Sequence, residues 1–356
     1  EIFLPQYSKT VAQTDKEANC MSEFLVATDA HGATLDDLVT TYKSLVVSGS
    51  KDIKWFVYGA VPDAVKHLQR RWSFRRVRVV ATADEFKTSD FVIFLNAGDG
   101  LYRESLVSVR EAIHKNAATD LIYGDAAHPT GIKAEPLSFV RRPGWSPERL
   151  RGHCYVGETL VARTEVVERA GGITELVVQH PHDRALRLTE NAKNIVRMPE
   201  LLTMAKSRDT RPSASLDAVI KHCARQKIDA NCELDAAVPS VRVKRNLTTQ
   251  PSVAVIVPTR GTSAEVFGSK RVLVVEAVRS LFEKSTYQNF EVVVVADTPT
   301  PQTVLDTLRE IGGARLKIIN YDRPFNFAEK NNLGAMSCES DLILLLNDDT
   351  EIITAE

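Results

Sequence analysis

Short apolar runs alternate along the chain with segments whose apolar positions recur at helical spacing. From Glu23, EFLVATDAHG reads as a strand, Thr34–Ser44 as a helix, DIKWFVYGA as a strand, Pro62–Trp72 as a helix with proline near its first turn, and RRVRVVAT as a strand. DFVIFLNAGDG (90–100) is a further apolar run, closed by polar residues and glycine. A helix over Glu104–Asn116, a strand over Asp120–His128, a helix at VVERA, the pair Gly171–Gly172 and a helix around His182–Thr189 follow, and the unit finishes near Pro199. At Ser252 the plan restarts. SVAVIVPTRG, FEVVVVADT, RLKIINYD and DLILLLNDDTEII read as strands, separated by helices over Arg271–Lys284, Pro301–Ile311 and most of Pro324–Cys338. Strands alternating with helices predict an α/β fold, a mainly parallel sheet flanked by helices. The same order of elements in both halves predicts an internal repeat whose second copy is incomplete. The expected organisation is a tail or linker over 1–22, a first domain over 23–205, a connector with one helix (Ser215–Gln226) over 206–250, and the start of a second domain over 251–356.

Composition narrows the class. At 356 residues, 44% hydrophobic and 26% charged, the chain can bury more than one core. Forty-five Lys+Arg against 46 Asp+Glu give a net charge of -1, so nothing global attracts nucleic acid. The arginine-rich stretches Gln69–Arg78 and Ser240–Arg245 alternate with valines and read as half-buried strands with a solvated face. Five cysteines without CxxC spacing point to a reduced compartment and give no support to a thiolate zinc site. No apolar run reaches the roughly 20 residues of a membrane span. A start at Glu1 and a stop shortly after an acidic strand tip suggest a piece of a longer protein.

Ligands of open parallel sheets collect at the carboxyl ends of the strands. In the second half these ends carry Pro258-Thr259-Arg260, Asp297-Thr298 and Asn347-Asp348-Asp349-Thr350. Oxygen donors with two carboxylates suit Mg²⁺ or Mn²⁺ completed by a diphosphate, although an acidic strand end is also an ordinary solvent-exposed turn. No GxxxxGK[ST] occurs, which argues against a P-loop kinase or ATPase, and no GxGxxG follows the first strand of either half.

VAVIVPTRG, SLFEKSTYQNFEVVVVADT, PFNFAEKNNLGA and DLILLLNDDTEI together resemble the N-terminal, nucleotide-binding half of a family 2 glycosyltransferase with the GT-A fold, over Ser252 to the end. The resemblance implies that the variant DXD motif Asn347-Asp348-Asp349 holds the cation, with Asp349 the first choice of ligand, Asn347 in place of the usual first Asp, and Asp348 between them. It places Pro258, Thr259, Arg260, Asn331 and Asn332 beside the nucleotide, with Arg323 and Lys330 as helpers for phosphate charge. Asp297 comes one position later than the family's acid, so either it reads base or ribose with that shift or the contact is absent. Asparagines near a helix end also serve as caps. The catalytic base of the family lies well beyond the DXD segment, and no catalytic residue is assigned in this chain.

Residues 23–205 resemble a weathered copy of the same fold, through FVIFLNAGDGLYRESL, RRPGWSPERLRGHCYVGETLVART and HPHDRALRLTENAKNIV. The departures fall at the chemistry: Asn96-Ala97-Gly98 replaces D-x-D with Asp99 one place later, Pro181 stands where the base is expected, and only Asp183 is kept. His182 with Asp183 as a substitute acid–base pair is the less favoured reading. The resemblance implies inverting transfer of a sugar from a nucleotide-diphosphate donor to a glycan or lipid-linked glycan acceptor, in cell-surface polysaccharide synthesis. It implies a cytoplasmic location, with peripheral association at the inner face of the cell membrane through the parent protein. The alternative is a non-catalytic glycan-binding or scaffold module; a nucleotidyltransferase fits the WSPERL and PFNFAEKNN segments poorly.

Overall fold

The computed structural model describes residues 22–49, 53–59, 77–80, 89–130, 137–206 and 212–355. Two compact units meet in sequence between Asn246 and Leu247. The helix expected at Pro62–Trp72, the tail up to residue 21 and the stretch 69–76 lie outside the described residues.

The first unit runs β1 (Phe24–Asp29), α1 (Leu35–Val47), β2 (Ile53–Tyr58), β3 (Val77–Val80), β4 (Phe91–Phe94), β5 (Gly100–Leu101), α2 (Ser105–Lys115), β6 (Leu121–Pro129), β7 (Leu137–Val140), α3 (Pro147–Gly152), β8 (Leu160–Arg163), α4 (Thr164–Arg169), α5 (Ile173–Val178), α6 (Pro181–Asn191), β9 (Ile195–Met204), α7 (Pro212–Arg225), β10 (Ala230–Leu234) and β11 (Val241–Arg245). Its sheet has the order β3-β2-β1-β4-β8-β6-β9-β5, with β7 added beside β6. The first four strands are parallel, and β8 lies antiparallel to both β4 and β6. The apolar run of β1 serves both faces: Leu25 and Ala27 enter one core, Phe24 and Val26 the other. That is the pattern of a strand covered on both sides. Thr34 starts α1 through a capping box, its hydroxyl accepting from Asp37 N at 3.2 Å while Asp37 Oδ2 accepts from Thr34 N at 3.1 Å.

The connector expected over 206–250 is largely built into this unit. Leu216, Val219 and Cys223, at i, i+3 and i+7, form an apolar stripe on α7 that packs into the same core as Leu25 and Phe94. Val241 of the β10–β11 hairpin joins them. Arg225 and His222 clamp Glu190 of α6, at 2.8 and 2.6 Å. The periodicity identified the helix's buried face; its partner is non-local and carries no signal in the segment itself.

The second unit runs β12 (Val253–Thr259), β13 (Ser263–Val266), β14 (Ser269–Val272), α8 (Leu273–Lys284), β15 (Phe290–Asp297), α9 (Gln302–Gly312), β16 (Leu316–Tyr321), α10 (Phe327–Ala335) and β17 (Leu342–Leu345). The helix expected from Arg271 begins at Leu273, because Arg271 belongs to an antiparallel hairpin. Its two-residue turn is Phe267-Gly268, both with positive φ. Phe267 lacks the Asn-Gly or Asp-Gly signal by which such turns are read from sequence.

The second sheet has the order β16-β15-β12-β17, parallel throughout. This repeats β3-β2-β1-β4 of the first unit, with the first strand in sequence in the third place and the fourth strand added on its far side. The backbone marks the equivalence to the residue: Leu95 N donates to Ala27 O at 3.0 Å, and Leu346 N to Ile256 O at 2.9 Å. Asn96 and Asn347 therefore occupy the same position after the fourth strand. The copies differ in what lies beyond that strand. Phe91–Phe94 are buried beneath their neighbours with β8 alongside, whereas Leu342–Leu345 are 43–56% exposed on an edge. Gly334 lets α10 lie close on the sheet, since a Cβ there would come within 2.4 Å of Ile256 Cγ2.

Candidate functional site

The carboxyl ends of β12 and β15, the start of α10 and the residues after β17 converge in the second unit. Thr259, at the end of β12, is buried; its hydroxyl donates to Asp348 Oδ2 at 2.5 Å and accepts from Gly261 N at 2.9 Å. Asp297, at the end of β15, accepts from Lys330 Nζ at 2.8 Å through Oδ1, and its Oδ2 lies 3.3 Å from Arg260 Nε. Pro258 is buried within β12, in register with Val295.

Lys330 is fully buried, donates to Thr259 O at 2.6 Å as well as to Asp297, and has the rings of Tyr321 and Phe325 at 5.6 and 5.4 Å. This corrects its expected role beside phosphate, because its ammonium is consumed inside the protein. A lysine in a polar-looking helix start reads as solvated unless its partners, 33 and 71 residues away, are known. Arg323 pairs with Glu329. Asn326 Oδ1 caps α10 by accepting from Glu329 N at 3.0 Å. Asn331 and Asn332 are thus not the caps. Asn331 is buried, donates to Phe327 O at 2.9 Å and keeps Oδ1 without a protein partner; Asn332 is exposed.

Asn347 and Asp349 are exposed after β17, where Asn347 O accepts from the Thr350 hydroxyl at 2.8 Å. Among the described residues no three His, Cys, Asp or Glu side chains form a metal cage. Asn347, Asp348 and Asp349 still offer adjacent hard oxygen donors. Such a partial set fits a cation held by one or two carboxylates, with substrate phosphates completing its shell.

The equivalent place in the first unit has different chemistry. Gly98, with φ +86°, occupies the position of Asp349. Asn96 Nδ2 donates to Glu158, and lies 3.4 Å from Asp99 Oδ2. Asp99 is buried and its Oδ1 accepts from Lys206 N at 2.6 Å; burial, with the nearby Glu158 charge adding to it, pushes its carboxyl up to about 7. Glu158 drew no attention in sequence, although the HCYVGETL segment carrying it lies two residues after WSPERL.

His182 is fully buried, with Nε2 2.6 Å from Leu150 O. A carbonyl only accepts, so Nε2 carries the proton in a neutral imidazole, and burial lowers the ring's pKa to about 4. Asp183 does not meet it: its carboxylate accepts from Arg187 Nε at 3.0 Å and Arg225 Nη2 at 3.4 Å, joining α6 to α7. Asp183→Ala is expected to remove about 2 kcal/mol through these charge-assisted hydrogen bonds. At roughly 2–4 °C per kcal/mol for a domain of this size, that lowers the first unit's Tm by about 4–8 °C, measurable by thermal unfolding. An unchanged Tm would mean that the two arginines find equal partners without it.

Residues 255–354 match the family model "Glycosyl transferase family 2". The chain is 30% identical over 304 residues to the O-antigen biosynthesis protein RfbC of Myxococcus xanthus, an alignment covering 78% of this chain and 23% of that protein. It is 24% identical over 319 residues to the uncharacterized protein y4gI of Sinorhizobium fredii, covering 84% of this chain and 34% of that one. The chain thus spans about a quarter to a third of the curated relatives it matches. Among solved structures, S. aureus TarS 1-349 in complex with UDP aligns over 56% of this chain and 65% of that one, at 11% identity and a TM-score of 0.39. The mannosyltransferase PcManGT of Pyrobaculum calidifontis, in complex with GDP-Man and Mn2+, aligns over 59% and 65%, at 11% identity and a TM-score of 0.37. The family 2 glycosyl transferase match thus falls on residues 255–354, where the parallel strand ends gather Thr259, Asp297 and the Asn347–Asp349 tip.

Proposed function

We propose that this chain is part of a glycosyltransferase that moves a sugar, with inversion, from a nucleotide-diphosphate donor to a glycan acceptor, and that the second unit binds the donor. The observation that carries this reading is the coincidence of the family match with one cluster of strand ends, over residues 255–354. Pro258, Thr259, Arg260, Asp297, Asn331, Asn332 and Asp348 then border the nucleotide. Arg260, 64% exposed at its side chain and 3.3 Å from Asp297, would offer a cation to the donor phosphates. Asn347 and Asp349 would hold Mg²⁺ or Mn²⁺, whose charge offsets that developing on the departing diphosphate. The Thr259–Asp348 hydrogen bond sets the Asn347–Asp349 tip against the end of β12, and the Lys330–Asp297 pair sets β15 against α10.

The name of the Myxococcus relative points to O-antigen biosynthesis, and our reading takes a cell-surface polysaccharide as the product and a glycan or lipid-linked glycan as the acceptor. Association of the protein with the inner face of the cell membrane belongs to the same reading. Among the described residues no helix is long and apolar enough to cross a membrane. Calorimetric titration of the intact protein with UDP-, GDP- and TDP-sugars tests donor binding. One of them is expected to bind at micromolar concentration with Mn²⁺ and to lose most of that affinity in EDTA. Absence of binding by every donor, in a folded protein, would remove the donor assignment.

A further inference from the structure

Two cysteines of the first unit meet where the chain turns from α7 into β10. Cys223 lies in the last turn of α7 and Cys232, nine residues on, in β10; their Sγ atoms are 3.9 Å apart. The backbone holds them there. Lys227 takes a positive φ of 54°, Ile228 N donates to Cys223 O at 2.8 Å, and Lys227 N donates to Ala224 O at 3.2 Å. These are the bonds of a Schellman motif, which ends a helix and turns the chain back along it. Ile228 completes the motif by packing on the core that contains Cys223. The ladder with β11, where Cys232 is paired with Val243, then fixes the strand. The approach of the sulfurs follows from a turn and a ladder that need neither thiol.

Cys223 is buried with Val219 and Val241, whereas Cys232 is half-buried at the edge of the same core. As packing, the pair is unexceptional, since a thiol is a small apolar group and a weak hydrogen-bond donor. What it adds is the chance of a covalent bond. To reach the ~2.05 Å of a disulfide the sulfurs must close by about 2 Å, a movement that rotation of the two side chains can supply. Burial, with Cys223 alongside, pushes the Cys232 thiol up to about 11. Thiolate is therefore scarce at neutral pH, and in a reducing compartment the resting form is the dithiol.

We propose that Cys223 and Cys232 are a redox pair that hydroperoxides convert to a disulfide, stapling the β10–β11 hairpin to α7. Cys232, the more exposed sulfur, reacts first. Its electron pair attacks a peroxide oxygen, the O–O bond breaks, and Cys232 becomes a sulfenic acid while its proton leaves with the other oxygen as water. Cys223 Sγ then displaces the sulfenic hydroxyl: the S–S bond forms, the S–O bond breaks, and the Cys223 proton leaves with that hydroxyl as a second water. Two thiols lose two electrons and one hydrogen peroxide becomes two waters. Because α7 is already held to α6 through Asp183 and Glu190, the staple fastens the hairpin to the frame of the first unit. Closing so short a loop in the unfolded chain is expected to raise that unit's Tm by about 5–10 °C.

The test treats the intact, reduced chain with millimolar hydrogen peroxide, blocks remaining thiols with N-ethylmaleimide under denaturing conditions, and maps tryptic peptides by mass spectrometry. His222–Arg225 is expected to appear joined to Ile228–Arg242, with the loss of two hydrogens, and to separate in dithiothreitol. The first unit's Tm should rise on oxidation and return on reduction. Cys232→Ser, treated in the same way, should show no joined peptide and no rise. The joined peptide is sought in the unaltered protein, so the result does not hang on how the variant folds. The staple lies wholly within the first unit and is read without donor. Four results would overturn the proposal: both cysteines recovered as maleimide adducts, Cys232 carried on to sulfinic acid, either cysteine joined to a different one, or an unchanged Tm in fully joined protein.

Discussion

Asp349→Ala in the intact protein is expected to lower Mn²⁺-dependent sugar transfer about a hundredfold and to leave thermal unfolding unchanged. The side chain is exposed after the last strand of the second sheet, so its removal takes little from the core. Its proposed work is electrostatic, and a cation at a departing diphosphate supplies several kcal/mol of charge stabilisation. At 1.36 kcal/mol per tenfold in rate, loss of about 3 kcal/mol lowers turnover by roughly a hundredfold. The companion variant Asn347→Ala removes a neutral donor and is expected to cost less, on the order of tenfold. The first unit provides the internal comparison: Gly98 already stands in Asp349's position, and metal-dependent donor binding there is expected to be absent. Turnover at saturating Mn²⁺, measured alongside Tm, separates a lost cation from a lost fold. Full activity in Asp349→Ala would place the metal, or the donor, elsewhere.

The architecture was legible because the strands are long apolar runs and the helices keep a clear period; β12 and β15 could be read almost to the residue from VAVIVPT and FEVVVVAD. The repeat was legible for the same reason, as matching element order, and the shared strand order β3-β2-β1-β4 and β16-β15-β12-β17 gives it a structural form. What sequence missed depends on contacts between distant positions. The packing of α7 and the β10–β11 hairpin onto the first core is one case. The burial of Lys330 is another, since a lysine reads as solvated until its carboxylate and carbonyl are found on other strands. At the candidate site, residue types at strand ends pointed to the cluster, but not to its internal bonding: Thr259 to Asp348, and Asp297 to Lys330 rather than to solvent. In the first unit the loss of acidic residues was plain in Asn96-Ala97-Gly98, while Glu158, 62 residues from Asn96, became part of that site only through the fold.

Lys330→Met is expected to be the most destabilising single change in the second unit. The ammonium is completely buried and holds the end of β12, through Thr259 O, and the end of β15, through Asp297, against α10. Methionine preserves much of the stem's volume and its packing near Tyr321 and Phe325, so the effect isolates the charge. Removing one partner of a buried pair leaves the other charged and desolvated, at a cost of about 3–5 kcal/mol. Arg260 remains 3.3 Å from Asp297 Oδ2, but its side chain is largely solvated and recovers only part of this. For a unit of this length, with roughly 4–8 °C per kcal/mol, the second unit's transition should fall by more than about 10 °C. The double variant Lys330→Met/Asp297→Asn decides the cause. If the penalty is an uncompensated carboxylate, neutralising Asp297 restores part of the lost stability, and the double variant unfolds at a higher temperature than Lys330→Met alone. If the penalty comes from the lost bond to Thr259 O, the second change restores nothing, and the ammonium's main work is to tie α10 to the end of β12. Either result can be read from chemical denaturation of the intact chain with the second unit's transition followed separately, because Asp297→Asn by itself leaves Lys330 bonded to Thr259 O.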